Sequence, residues 1–122
     1  MEKDFIKYVD LGLGDVPVMV GPETRLSRLA TETDGHGLRG VEMFKGHDIS
    51  IAEAVTRNVS HEGTRFGDLI SGVVCFDTAE DRKVKFTRQE CRFSRGSSLF
   101  LDEKRYVISS ILIRLERDLG GK

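Results

Sequence analysis

YVISSILIRLE, residues 106–116, is the longest strand candidate in the chain and decides the fold. Apolar residues occupy both alternating sets of positions in this run until Arg114, where one set turns polar. A strand that is apolar on both faces belongs in the interior of a sheet. The run therefore predicts a sheet that encloses this strand.

Two strand candidates just before this run form a predicted hairpin. Leu69 to Phe76 is rich in β-branched and apolar residues, and Lys83 to Phe86 alternates charged and apolar residues. The polar stretch 77–81 between them suits a turn, so the pair is predicted to be antiparallel. Cys91 to Phe93 is predicted as a further short strand, followed by a loop at 94–98.

Two more strands are predicted near the start of the chain. They cover Phe5 to Val9 and Val16 to Val20, with a glycine-containing turn at 12–15 between them. Because proline cannot donate to a sheet ladder, Pro17 favours an edge position or a strand start for the second strand.

A first helix is predicted to follow these strands. Leu26, Leu29 and Ala30 have the spacing of one helix face. Thr24 is the predicted N-cap. The glycine-containing stretch 34–37 suits the end of the helix.

A second helix is predicted to begin near Ser50. The sequence from Ser50 to Glu53 has the form of a capping box, in which the serine hydroxyl and the glutamate carboxylate accept hydrogen bonds from the first amides of the helix. Arg57 to Gly67 has no periodicity, and we predict a long surface loop there. The fold class is α+β, an antiparallel sheet with about two helices packed on one face.

Composition limits the partners of the chain. Its 122 residues fit a single domain spanning 1–122. Nineteen basic residues against twenty acidic ones give a net charge of −1, without the basic excess of a nucleic-acid binder. No apolar run approaches the roughly 20 residues that span a bilayer. We expect a cytoplasmic protein that binds neither nucleic acid nor membranes.

The cysteines and histidines carry no metal signature. Cys75 and Cys91 lie in apolar stretches and are predicted as reduced core thiols. His36, His47 and His61 lack metal-ligand spacing and are predicted as solvated loop residues, so no metal is expected. The alternative is a metal site in which His47 and Asp48 come together with His61 and Glu62 as nitrogen and oxygen ligands.

Three strings carry a resemblance to a known family. Residues 21–29 form a glycine-led start of a helix, 37–42 have the sequence GLRGVE, and 87–100 have the sequence TRQECRFSRGSSLF. In this order and spacing they resemble the second FAD-binding lobe of the UDP-N-acetylenolpyruvoylglucosamine reductase (MurB) family. The resemblance covers nearly the whole chain, and it implies neither the first lobe nor the C-terminal substrate domain.

The resemblance implies a chemistry and a set of residues. The family passes a hydride from NADPH through FAD to an enolpyruvyl ether in peptidoglycan precursor synthesis. Asn58, Gly63 and Ser98 match the family's cleft residues by type and are the cofactor-binding candidates. The family's arginine aligns with Gly96, so the neighbouring Arg95 is the catalytic candidate.

The chain differs from the family at positions where glycine lets the backbone approach a flavin closely. The family's glycine-rich stretch aligns with residues 47–54, where Ile49, Ala52 and Glu53 replace glycines. We therefore expect no cofactor, no reductase activity from this chain alone, and action through self-association as a dimer or through a protein partner that covers the cleft face.

Two alternatives remain open. One is an FAD-binding component of a UDP-N-acetylmuramate dehydrogenase whose other domains are supplied separately. The other is an independent small-molecule binder, because a fold does not fix a function.

Overall fold

A computed structural model of the chain describes residues 3–9 and 14–117. Residues 12 and 13 of the predicted turn, and the stretch beyond 117, lie outside the described residues. The largest sheet in the described part of the chain has six strands, all paired antiparallel. They are β1 (Ile6–Tyr8), β2 (Asp15–Val20), β3 (Leu38–Arg39), β6 (Ile70–Asp77), β7 (Arg82–Thr87) and β8 (Tyr106–Arg117).

The interior position predicted for 106–116 is confirmed. The strand order is β1-β2-β8-β6-β7, and β3 also pairs with one end of β8. The predicted hairpin is β6–β7, with register from Gly72↔Thr87 to Asp77↔Arg82. Strand β8 therefore joins the N-terminal strand pair to the hairpin.

Pro17 lies inside the sheet, so its predicted edge position is wrong. Strand β2 is flanked by β1 and β8, and Pro17 is its third residue. The N and O atoms of one strand residue point to the same side. The Pro17 carbonyl accepts a bond from Val9 N at 2.9 Å, so the missing amide also faces β1, just where the pairing of β1 ends. The sheet tolerates proline there because no ladder bond is lost toward β8.

The strand predicted at Cys91 to Phe93 is wrong. Gln89–Cys91 is a short 3₁₀ turn, and Arg92 is left-handed with φ of 51°. Thr87 and Glu90 cause this turn, since Glu90 Oε1 accepts the Thr87 amide at 2.9 Å and Thr87 Oγ1 accepts the Glu90 amide at 3.3 Å. This reciprocal capping bends the chain away from an extended path.

Both predicted helices are present, as α1 (Leu26–Gly35) and α2 (Ile51–Thr56). Ser50 caps α2 as predicted, accepting from Glu53 N at 3.1 Å. The N-cap of α1 is Arg25, so the capping role predicted for Thr24 is wrong. The Thr24 hydroxyl instead donates to Asp4 at 2.9 Å and accepts from Phe5 N at 3.0 Å, which ties the start of the chain to the helix.

Two elements were not predicted. A four-residue helix, α3 (Leu99–Asp102), begins after Ser98. The stretch predicted as a long loop contains a hairpin of β4 (Ser60–His61) and β5 (Thr64–Arg65). Its two turn residues, Glu62 and Gly63, both have positive φ, as a type I′ turn requires. Glutamate is an unusual residue at that position, which hid the turn from sequence reasoning.

The core lies between the helices and one face of the sheet, as predicted. Alternate residues of each strand point into it. Val18, Ile111 and Val73 are fully buried on this face. Cys75 and Cys91 are free and buried, and desolvation raises the pKa of each thiol to about 12.

The opposite face of the sheet carries apolar side chains toward solvent. Met19, Phe76 and Val107 are 37%, 41% and 55% exposed. Met19 lies beside the half-buried Leu112, and Phe76 lies beside Val107. We call this surface the open face and define it by Met19, Val74, Phe76, Val107 and Leu112. None of the helices in the described part of the chain has the length and apolar character needed to span a bilayer.

Asp77 closes the end of β6 through an ion pair. Arg105 donates to both of its carboxylate oxygens, at 3.0 and 2.7 Å, and the amides of Ala79 and Glu80 donate to Oδ1. The Arg105 hydrogen bonds, with smaller help from the two amides, hold the pKa of Asp77 below its ordinary value.

We expect the Asp77–Arg105 ion pair to raise the free energy of unfolding at neutral pH and to lose this effect in acid. Because the folded-state pKa of Asp77 is lowered, its contribution is fully present above about pH 4 and is lost as the pH falls through the folded-state pKa. Melting temperatures by circular dichroism from pH 7 to 2.5 should fall more steeply in wild type than in Asp77→Asn. Asp48→Asn, at an exposed carboxylate, is the control. Parallel curves for Asp77→Asn and wild type would show that the pair does not contribute.

Candidate functional site

Asn58 and Ser98 converge on the end of α2. Asn58 is 3% exposed and has φ of 46°. Its Nδ2 donates to the Ser94 carbonyl at 2.7 Å, and its Oδ1 accepts from Gly67 N at 2.8 Å. Ser98 Oγ donates to the Thr56 carbonyl at 2.7 Å and accepts from Phe100 N at 3.2 Å. Both side chains therefore clamp the 94–98 segment to α2.

Arg95 lies at the tip of the clamped segment. Ser94 and Ser97 exchange two backbone hydrogen bonds of 3.1 Å, which places Arg95 and Gly96 at the turn. Gly96 has φ of 69°, a conformation that favours glycine. Arg95 is exposed, and within the described residues its guanidinium has no ion pair.

Gly63 lies elsewhere, at the tip of the β4–β5 hairpin. Its φ is 85°, it is exposed, and a Cβ added there would meet no atom within 4 Å. The three cofactor-binding candidates are thus divided between a buried clamp and an exposed turn.

Within the stretch aligned with the family's glycines, the amides of residues 51–54 are all occupied. Ile51 N donates to the Thr24 carbonyl at 2.8 Å, and Ala52 N donates to the Pro22 carbonyl at 2.9 Å. The amides of the next two residues, 53 and 54, bond to Ser50 Oγ and Ser50 O. Ile49 packs against the core, and the exposed Glu53 lies 3.6 Å from Arg57. The first turn of α2 therefore bonds its amides to the 22–24 segment and to Ser50, and leaves none of these four amides free.

His47 and His61 do meet, with ring centroids 5.1 Å apart, and both rings pack near Phe44. His47 is half-buried, so its predicted solvated position is wrong, and its Nδ1 has no hydrogen-bond partner in the described part of the chain. His36 is exposed and stacks on Tyr8 at 4.5 Å. The described residues contain no group of three or more side chains able to hold a metal ion.

A groove that the sequence did not predict opens at one end of the open face. Its volume is about 840 Å³, and none of the four predicted site residues lines it. Its walls carry three arginines and four carboxylates, from Arg39, Arg88, Arg114, Asp15, Glu42, Asp68 and Glu116. The change from apolar to polar residues at Arg114 in the run 106–116 was the one feature of the sequence that pointed to this groove. The groove has nearly balanced charge and selects no ligand class by charge alone.

Relatives were found by sequence among the UDP-N-acetylenolpyruvoylglucosamine reductases. The protein from Salinispora arenicola is 26% identical over 112 residues, which is 92% of this chain and 31% of that protein. The Rhodopirellula baltica protein is 30% identical over 81% of this chain and 31% of its own length. The Thermobifida fusca protein is 30% identical over 66% of this chain and 23% of its own length. The chain thus spans about a third or less of the relatives it matches. No family model matches it.

Solved structures give the same fold. The reductase MurB from Thermus caldophilus superposes with a TM-score of 0.73 at 21% identity, over 81% of this chain and 36% of that one. A solvent-stable cholesterol oxidase superposes with a TM-score of 0.67 at 14% identity, over 94% of this chain and 24% of that one. The α+β fold class is confirmed by this match. The chain is MurB-like in sequence and in fold, and it corresponds to about a third of the length of a UDP-N-acetylenolpyruvoylglucosamine reductase.

Proposed function

We propose that this chain is a MurB-like module of peptidoglycan precursor metabolism that acts by associating with protein rather than by reducing a substrate itself. The observation that carries the proposal is the start of helix α2 at residues 51–54, whose four amides are all bonded inside the chain. A flavin held by backbone needs free amides and close passage, which glycine permits and side chains obstruct.

The side chains aligned with the family's cleft residues do not fit a flavin either. If Asn58 turned to a ligand, Gly67 N and the Ser94 carbonyl would lose their bonds. Leaving buried polar groups without partners costs about 1–3 kcal/mol each. Ser98 is tied in the same way at both its donor and its acceptor. The free energy of releasing these side chains opposes cofactor binding.

Arg95 is poorly placed to stabilise an oxyanion. Such stabilisation requires a donor fixed beforehand in a site that excludes water. Arg95 is exposed at a turn tip and is held by no described side chain. Bulk water screens its charge there. The position of Arg95 therefore supports a chain in which Arg95 has no catalytic role.

The open face supports action by association. Three large apolar side chains on it, Met19, Phe76 and Val107, are more than a third exposed. Phe76 lies beside Val107, and Met19 lies beside the half-buried Leu112. Apolar side chains exposed on one face of a sheet support an interaction site there.

The flavin question has a direct test. We expect the purified chain to be colourless, and we expect excess FAD to leave its melting temperature unchanged. A ligand present at 100 times its Kd would stabilise the native state by about 2.7 kcal/mol, a shift of several degrees. A three-domain MurB reductase serves as the positive control for FAD. A yellow protein, or one whose melting temperature rises with FAD, would replace this proposal with the flavin-binding alternative.

A further inference from the structure

We propose that the free edge of strand β7 binds an extended acidic segment of a partner protein, which adds to the sheet as a further strand. The inference rests on the proposed action by association and specifies its surface and the chemistry of its partner. Strand β7 ends the order β1-β2-β8-β6-β7, and among the described strands it pairs only with β6.

The backbone of β7 offers hydrogen bonds on this edge. Thr87 N donates to Glu90 Oε1 at 2.9 Å, so this amide points away from β6. On β6, Val74 is the partner of Lys85, and its carbonyl accepts from Ser109 Oγ of β8 at 3.0 Å, away from β7. Backbone groups of an antiparallel strand change side from one residue to the next. Lys85, and the residue two positions before it, therefore direct their N–H and C=O groups to the open side of β7.

An added strand would lie against different side chains on its two faces. On the outer face it would meet Lys83 and Lys85, which are exposed and make no ion pair within the described residues. On the inner face it would meet the half-buried Val84 and Phe86, whose ring packs edge-on against Tyr106 with centroids 5.0 Å apart. Opposite charges and apolar side chains that face each other across two strands attract. The segment that fits this edge alternates acidic and apolar residues.

The charge along the edge excludes a second copy of this strand as the partner. Residues 82–87 have the sequence RKVKFT, with three cations and no carboxylate. Cationic side chains on an edge strand oppose pairing with an identical strand. Strand β1, at the other end of the strand order, carries Lys7 and no carboxylate, so a second copy supplies no acidic strand from there either.

The carboxylates nearest along the chain lie outside β7. Glu80 and Asp81 belong to the turn before the strand. Glu90 follows the strand, and its Oε1 is bonded to Thr87 N. The middle of the edge therefore keeps its cationic character.

The length of the edge sets the expected affinity. Strand addition takes its affinity from backbone hydrogen bonds and its selectivity from alternate side chains. A segment of about seven residues buries much less than the roughly 800 Å² per partner of a stable interface, so we expect a Kd of about 10–100 µM. Added salt should weaken the binding because it screens the exposed charges.

Fluorescence anisotropy of labelled synthetic peptides with the whole chain tests the inference. We expect a heptapeptide of alternating glutamate and valine to bind. A heptapeptide of alternating lysine and valine should bind about tenfold more weakly or worse. The glutamate–valine peptide with every backbone amide methylated keeps its charge but cannot donate, and it should lose binding to a similar extent. Equal affinity for all three peptides, or no binding of the first at about 1 mM, would refute the inference.

Amide hydrogen exchange followed by NMR identifies the edge. With the glutamate–valine peptide at ten times its Kd, the amides of Lys83 and Lys85 should exchange about tenfold more slowly. Tyr8 of β1 is the matched control. Its amide also faces away from the sheet, because the amide of the next residue, Val9, donates to the Pro17 carbonyl of β2. Slower exchange at Tyr8 but not at the two lysines would refute the assignment to β7.

Substitutions separate the charge from the backbone. Lys83→Glu with Lys85→Glu should raise the peptide Kd about tenfold or more, and Lys7→Glu on β1 should leave it unchanged. Lys85→Gln removes one charge and keeps the free amide, whereas Lys85→Pro removes both without taking a bond from β6. Lys85→Pro should therefore weaken binding more than Lys85→Gln, and equal Kd values would refute strand addition. The methylated peptide makes the same comparison on the unaltered chain.

The outcomes distinguish this inference from the proposed function. A chain that binds none of the peptides and remains colourless and unaffected by FAD would lose only the acidic partner at β7. A chain that binds FAD would refute the proposed function, whatever its affinity for the peptides.

Discussion

Phe44→Ala should lower the free energy of unfolding by about 3–5 kcal/mol, as loss of a buried aromatic side chain generally does. Phe44 is fully buried. Its ring packs edge-on against Phe66 with centroids 6.1 Å apart and against His47 at 5.2 Å. Removing the ring leaves a cavity beneath the β4–β5 hairpin, where His61 also lies near it.

Urea denaturation at low protein concentration measures the effect of Phe44→Ala, with Phe76→Ala as the matched control. The control removes the same ring from a position that is 41% exposed, and it should cost less than about 1 kcal/mol. Equal losses for the two variants would contradict the assignment of Phe44 to the core. Low concentration keeps dissociation of any dimer out of the comparison.

Asn58→Ala should lower the free energy of unfolding by about 2–4 kcal/mol in the absence of any flavin. Two buried groups, Gly67 N and the Ser94 carbonyl, would lose their partner. Each such loss costs about 1–3 kcal/mol. Alanine also tolerates the φ of 46° less well than asparagine does.

Asn58→Gly separates the two causes, because glycine accepts the positive φ but makes neither hydrogen bond. We expect it to lose less stability than Asn58→Ala, by up to about 1 kcal/mol. Urea denaturation of both variants, repeated with FAD, gives the measurement. Unchanged stability together with a change in FAD affinity would assign Asn58 to cofactor binding instead of to the clamp.

The parts of the fold that the sequence predicted are those with long periodic patterns. The run 106–116, the β6–β7 hairpin and helix α1 each repeat an apolar period over several residues. The missed parts depend on short polar contacts. The Thr87–Glu90 pair turns the chain before Cys91, and helix α3 is only four residues long. Elements that short do not complete a recognisable period.

The structure brings together two of the candidate residues, but the sequence did not predict their contacts. Asn58 and Ser98 were singled out from the resemblance. Their partners Ser94 and Thr56 lie 36 and 42 positions away in the chain. A single sequence carries no signal for contacts at that separation. The charged groove was missed for the same reason, because Arg39, Arg88 and Arg114 line one groove only after the sheet has formed.

The central place of β8 has a consequence for how the chain reaches its native state. Strand β8 is the last of the described strands, yet β2, β3 and β6 all pair with it. Val20 pairs with Ile111, and Leu38 pairs with Arg117, so β2 and β3 can form these hydrogen bonds only after β8 is in place. Pairings between positions so distant raise the contact order, and high contact order slows folding. On the ribosome, β2 and β6 emerge with one edge each unpaired, and such edges are prone to aggregation until residues 106–117 arrive.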